Sequence, residues 1–137
     1  MAQREALRLA PEVSEVARMN AWFDRAVGEA GLAEATAGDL KLCLNEAVAN
    51  VISYAFPLTE AGWIEVRLQL DENEGRAEVR DNGIPFDPLA RPDKAPLTDL
   101  ATADIGGFGI TLIRQTADRC GYERVDGENR FSFACRA

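Results

Sequence analysis

Trp63-Ile64-Glu65-Val66-Arg67-Leu68-Gln69-Leu70, the turn Asp71-Glu72-Asn73-Glu74-Gly75, and Arg76-Ala77-Glu78-Val79-Arg80 leading into Asp81-Asn82-Gly83 decide the fold of this 137-residue chain. Ile64, Val66, Leu68 and Leu70 alternate with Glu65, Arg67 and Gln69, the period-2 pattern of a strand with one buried face. The polar turn ends in glycine, so the two segments predict an antiparallel hairpin. Its second strand delivers Asp81-Asn82-Gly83 to the end of a sheet.

Helical patterns lie upstream of this hairpin. Thr36 followed three residues later by Asp39 resembles a capping box with a shorter acid and opens a helix to about Phe56, where Pro57 stops it. Leu40, Leu44, Ala47, Val48, Val51 and Ala55 share one face of that helix. Before it, Pro11 sits where a helix can begin. Val13, Val16, Ala17, Met19, Trp22, Phe23, Ala26 and Val27 recur at helical spacing until Gly28 and Gly31. Aromatics at that spacing read as core in preference to an exposed interface. Glu5 to Leu9 alternates as an edge strand.

Downstream, Ile84 to Asp104 holds Pro85, Pro88, Pro92 and Pro96 with no periodicity. A loop of that length within a compact domain points to function rather than to a passive insertion. Phe108 to Arg119 reads as a helix. Tyr122 to Val125 and Arg130 to Cys135 read as a second hairpin around Asp126-Gly127-Glu128-Asn129. The interleaving predicts one α/β two-layer domain over residues 1–137, with a mixed, mainly antiparallel sheet and helices on one face.

Bulk properties narrow the function. The net charge of -8 supplies no basic stripe for a nucleic-acid partner. No apolar run reaches the roughly 18 residues of a membrane span, and Met1 to Arg8 lacks the apolar core of a signal peptide. Cys43, Cys120 and Cys135 form no CxxC pair and read as reduced, mostly buried thiols of a cytoplasmic protein. The chain contains no histidine, which removes Ser-His-Asp catalysis, HExxH zinc sites and a phosphohistidine on this chain.

Three blocks carry chemistry. In Asn45-Glu46-Ala47-Val48-Ala49-Asn50, Glu46 and Asn50 are four residues apart and stack on one flank of the helix outside its apolar stripe. An amide oxygen there is a Mg²⁺ ligand and the carboxylate a proton acceptor, unless the pair is an ordinary solvated flank. Asp81-Asn82-Gly83 is either a simple turn or an acceptor for an exocyclic amine, with Gly83 letting a base lie close to the backbone. Ile105-Gly106-Gly107-Phe108-Gly109-Ile110 precedes a helix whose N-terminus carries about half a positive charge. It is either a phosphate-facing loop or a hinge. It matches neither the Walker A pattern nor the full GxGxxG pattern.

In this order the blocks resemble the N, G1 and G2 boxes of the GHKL ATPase superfamily, and most closely the branch of small bacterial anti-sigma-factor serine/threonine kinases. Tyr54-Ala55-Phe56, Phe86-Asp87-Pro88, Ala117-Asp118, Tyr122 and Gly127-Glu128-Asn129 fit that branch as well. The resemblance spans about residues 39–133. It implies the Bergerat fold with ATP and Mg²⁺ as cofactors. Asn50 would ligate Mg²⁺, Asp81 would read the adenine amine, and Gly83 would give the base room. Gly107, Phe108 and Gly109 would form the triphosphate loop, and Glu46 would be the general base. Residues 88–105 would be the ATP lid. The implied substrate is a serine of a small anti-anti-sigma protein, the implied second partner is a sigma factor, and a homodimer is compatible with this reading. Leu100 to Asp104 lacks the basic residue that many such relatives carry before these glycines. A nucleotide-gated binding module with little or no catalysis is therefore the alternative.

Overall fold

A computed structural model describes residues 2–56, 61–90 and 109–137. The expected lid from residue 91 onward, the glycines Gly106 and Gly107, Phe108, and the helix-stopping Pro57 lie outside the described residues.

Strand β1 (Gln3–Leu9) leads through a short 3₁₀ turn (Val13–Glu15) into helix α1 (Val16–Ala30), followed by helix α2 (Glu34–Tyr54). Strands β2 (Ile64–Leu70) and β3 (Glu74–Asp81) come next, then a 3₁₀ turn (Pro88–Ala90), helix α3 (Gly109–Thr116), and strands β4 (Arg119–Val125) and β5 (Glu128–Arg136). The five strands form one sheet in the order β1-β2-β3-β5-β4, with every neighbouring pair antiparallel. Helices cover one face of it, as expected. The sheet holds no parallel pair among the described strands, so it is simpler than the mixed sheet expected. Strands β3 and β4 run in the same direction, joined through α3, but β5 inserts between them, so no parallel pair is hydrogen-bonded.

The inward face of the sheet is continuous. Leu7, Val66, Val79, Phe131 and Tyr122 line up across the strands, as do Glu5, Leu68, Ala77, Phe133 and Cys120. Against them pack Met19, Phe23 and Ala26 of α1, Leu40, Leu44, Ala47, Val48 and Val51 of α2, and Ile110 and Ile113 of α3. Each large apolar side chain so buried contributes about 1.5–3 kcal/mol. The outward residues Arg67, Arg76 and Arg119 face water, which is why β2 and β3 alternate so cleanly in sequence.

Several local expectations are corrected. Helix α2 starts at Glu34, so Thr36 is a buried residue of its first turn and not a cap; the N-cap Ala33 makes no side-chain cap bond. Gly28 lies inside α1, and the helix ends at Gly31 alone, in the left-handed region at φ 73°. Gly31 and Leu32 both donate their N–H to the Val27 carbonyl, at 3.1 and 3.3 Å, which closes the helix and drops Leu32 into the core. Strand β5 begins two residues earlier than expected. The hairpin turns on Asp126 and Gly127 (φ 52° and 78°), the left-handed pair that a two-residue type I′ turn requires. Asn129 is therefore a strand residue, paired across the sheet with Asp81.

Candidate nucleotide site

The C-terminal half of α2, the end of β3 and the start of β5 converge on one narrow cavity of about 10 Å³. Its walls are Ala47, Val51, Phe86, Pro88, Tyr122 and Phe131, and its polar atoms come from Asn50, Asp81 and Asn129. The inward alternation that places Val79 and Phe131 in the core carries on one step to Asp81 and Asn129. The sheet thus buries a carboxylate where a further apolar pair would otherwise sit.

Asp81 is fully buried. Its Oδ1 accepts two hydrogen bonds, from the Gly83 N–H at 2.8 Å and from Asn129 Nδ2 at 2.9 Å. Its Oδ2 is buried without a partner. Burial raises the Asp81 pKa above its ordinary value; the bonds from Asn129 and Gly83 and the positive charge of Arg124 oppose that rise without cancelling it. An unpaired buried carboxylate oxygen is costly, so the arrangement is poised to accept a donor.

Asn50 presents the second such atom. Its Oδ1 is likewise buried and unpartnered, in the same cavity. This corrects the expectation that Asn50 lies on an open flank. It follows Ala47 by three residues and precedes Val51, so the helical turn carries it into the buried face, and it is 3% exposed. Glu46, one turn earlier, is half-buried and makes no hydrogen bond or ion pair among the described residues. Asn45 is structural. Its amide exchanges two hydrogen bonds with that of Asn20, at 3.0 and 2.8 Å, and donates to the Lys41 carbonyl at 2.9 Å. That amide pair fastens α2 to α1 directly before Glu46.

Gly83 is required by the backbone beside it. A Cβ there would strike the Ala55 carbonyl oxygen and stand 2.8 Å from the Ala55 Cβ. The close approach lets the Ile84 N–H bond that same carbonyl at 3.0 Å, tying the end of α2 to the segment after β3. Tyr54 and Phe86 stack across this junction with ring centres 5.4 Å apart. Asp87 Oδ1 accepts the Leu89 N–H at 2.8 Å and fixes the turn carrying Pro88. Of the third block, Gly109 is the first residue of α3 and Ile110 is buried beneath it.

Among the candidate residues, the structure brings Asn50 and Asp81 to one cavity and sets Glu46 one helical turn from Asn50. Sequence reasoning missed Asn129 and Tyr122 as parts of this site. They carried a signal only as residues flanking the recognised blocks.

The residues from 9 to 134 match the histidine kinase-like ATPase domain family. The chain belongs to that family, a member of the superfamily that the three blocks resemble. Over 93 residues it is 31% identical to the serine/threonine-protein kinase BtrW of Bordetella bronchiseptica, covering 68% of this chain and 66% of that protein. Over 112 residues it is 30% identical to the serine-protein kinase RsbW of Listeria innocua, covering 79% and 70%. The chain thus spans about two-thirds of the length of these relatives. In fold it is similar to the RsbU and RsbW domains of Rv1364c from Mycobacterium tuberculosis, with a TM-score of 0.67 at 15% identity over 98% of this chain and 32% of that one. It is also similar to the catalytic domain of the histidine kinase ThkA, with a TM-score of 0.54 at 16% identity over 96% and 95%. No helix among the described residues is long and apolar enough to cross a membrane.

Proposed function

We propose that this chain is an ATP-dependent protein-serine/threonine kinase that acts as an anti-sigma factor in the cytoplasm. In this reading it phosphorylates a small anti-anti-sigma protein and sequesters a sigma factor. The observation that carries the nucleotide site is the pair of buried, unpartnered acceptors, Asp81 Oδ2 and Asn50 Oδ1, lining one apolar cavity in a chain of an ATPase-domain family. The serine kinases among its relatives support the phosphoryl acceptor.

The residues fit a magnesium nucleotide. Asp81 Oδ2 lacks a donor, which the 6-amino group of adenine supplies, while Phe86, Phe131 and Val51 offer faces for a flat ring. Asn50 Oδ1 is a hard oxygen without a hydrogen-bond partner, the donor type that suits a divalent cation. The described residues contain no cluster of three acidic, histidine or cysteine groups able to hold a metal alone. Asn50 would therefore share Mg²⁺ with phosphate and water oxygens, the usual pattern for that ion in phosphoryl-transfer sites. The enclosed space of about 10 Å³ is room for roughly one water, so base entry displaces Phe86 or Pro88.

When bound, Mg-ATP supplies the electrophilic γ-phosphoryl group. Glu46, half-buried one turn from Asn50, would take the proton from the substrate serine hydroxyl as that oxygen accepts the phosphoryl group, with ADP as the leaving group. Gly109, the first residue of α3, together with Gly107 and Phe108, which precede it in sequence, would direct backbone N–H groups to the phosphates.

The test is phosphotransfer from γ-labelled ATP to a cognate anti-anti-sigma protein. Labelled serine that disappears in Glu46→Gln, with ATP affinity retained, is the expected result. Leu100 to Asp104 carries no lysine or arginine, and this favours a second reading, a nucleotide-gated binding module. Absence of transfer, with partner affinity still set by nucleotide, would establish that reading instead.

A further inference from the structure

We propose that Asn129 and Tyr122 are positioning residues that set base selectivity by presenting Asp81 Oδ2 to the cavity; the proposal rests on the nucleotide reading above. The Asn129 side chain has two donor hydrogens and two acceptor lone pairs, and the structure uses all four. Its Nδ2 donates to Asp81 Oδ1 at 2.9 Å and to the Ile84 carbonyl at 2.8 Å. Its Oδ1 accepts the Phe86 N–H at 3.0 Å and the Tyr122 O–H at 2.6 Å.

This arrangement admits one orientation of the amide. A reversed Asn129 would set its carbonyl oxygen against Asp81 Oδ1 and the Ile84 carbonyl, and its NH₂ against the Phe86 N–H. One acceptor would then face two acceptors, and a donor group would face the Phe86 N–H. The Phe86 N–H and the Ile84 carbonyl, each of fixed polarity, thus set which end of the amide meets Asp81, and the Tyr122 hydroxyl donates to the oxygen so placed. Asn129 in turn holds one carboxylate oxygen together with the Gly83 N–H, and the other oxygen is turned, unpaired, into the cavity.

A carboxylate held this way reads a donor on the base. It favours a 6-amino purine and opposes a 6-oxo purine, whose carbonyl would face the same oxygen. Selectivity then depends on how rigidly Asp81 is aimed. The aim comes from β4 and β5, which carry Tyr122 and Asn129, together with the Gly83 N–H just beyond Asp81's own strand.

The same clamp bonds both Ile84 and Phe86, so the segment after Gly83 is tied to the carboxylate it follows. An error in Asn129 orientation would release the base-reading atom and one wall of the cavity together.

The experiment compares Mg-ADP with Mg-IDP by calorimetric titration in the wild type, Asn129→Ala and Tyr122→Phe. The wild type is expected to prefer ADP. Loss of a hydrogen bond to a charged acceptor corresponds to about a 10-fold change or more, so the ADP-to-IDP affinity ratio should fall by about that factor in Asn129→Ala. Tyr122→Phe keeps the ring and the apolar wall and should lower the same ratio by a smaller factor. A role in folding alone would weaken both nucleotides equally and leave the ratio unchanged, which would overturn the proposal. If Asn129→Ala does not fold, the ratio in Tyr122→Phe decides. A wild type that binds neither nucleotide would instead refute the nucleotide reading itself.

Discussion

Replacing Asp81 by asparagine separates binding from stability, because the two are expected to move in opposite directions. In the folded protein Asp81 is fully buried, and its Oδ2 has no partner. Burial raises its pKa, so the folded state holds the proton more tightly than the unfolded chain does. By linkage, a raised carboxyl pKa costs stability at any pH above the folded value. The cost is relieved as pH falls through that value toward the ordinary carboxyl range near ~4. Above the folded pKa the penalty is fully present, and Asp81→Asn removes it. The asparagine carbonyl still accepts from Asn129 and Gly83. The apo variant should therefore melt at the wild-type temperature or above it. Binding should respond the other way. The base amine loses a charged acceptor worth about 1.5–3 kcal/mol, which is roughly 10- to 150-fold in Kd. Calorimetric titration with Mg-ADP and a thermal melt of each protein measure both quantities. The same sign gives a pH dependence: ADP affinity should weaken with acid, with a midpoint above the ordinary carboxyl range. Unchanged ADP affinity in Asp81→Asn, or a melting temperature several degrees lower, would refute the reasoning and leave Asp81 a purely structural turn residue.

Two further substitutions probe the neighbouring groups. Asn50→Leu removes the orphan amide oxygen while keeping the branching of the side chain. ADP affinity should then become indifferent to Mg²⁺ while thermal stability holds or rises, as titrations with and without a chelator would show. Gly83→Ala drives a methyl group into the Ala55 carbonyl, so a urea melt should show destabilisation of about 1–3 kcal/mol even without nucleotide. Equal stability of this variant would mean that the end of α2 yields easily and that Gly83 serves only the base.

The fold was legible where one face of an element is buried and the other wet. Ile64, Val66, Leu68 and Leu70 are all in the core, and so is the stripe from Leu40 to Ala55 on α2. Boundaries were less legible. Thr36 carries the residue type of a cap but sits in the helix, because burial of its side chain outweighs capping. Asp126 and Gly127 turn the last hairpin in two residues, so Asn129 falls into the strand register opposite Asp81. Within the site, Glu46, Asn50 and Asp81 were visible as residue types at telling positions. The burial of Asn50 was not, because an amide beside Ala47 and Val51 on a helical wheel reads as a flank until the sheet packs over it. The partnership of Asn129 with Asp81 spans 48 residues, a helix and one hairpin turn. It depends on strand register, which no local pattern encodes.

The most direct measurement is a crystal structure of the chain with Mg-ADP bound. The adenine amine is expected on Asp81 Oδ2, with the metal on Asn50 Oδ1 and Phe86 or Pro88 shifted to admit the ring. A nucleotide bound elsewhere, or a base inserted without contact to Asp81, would contradict a site built on these two buried acceptors.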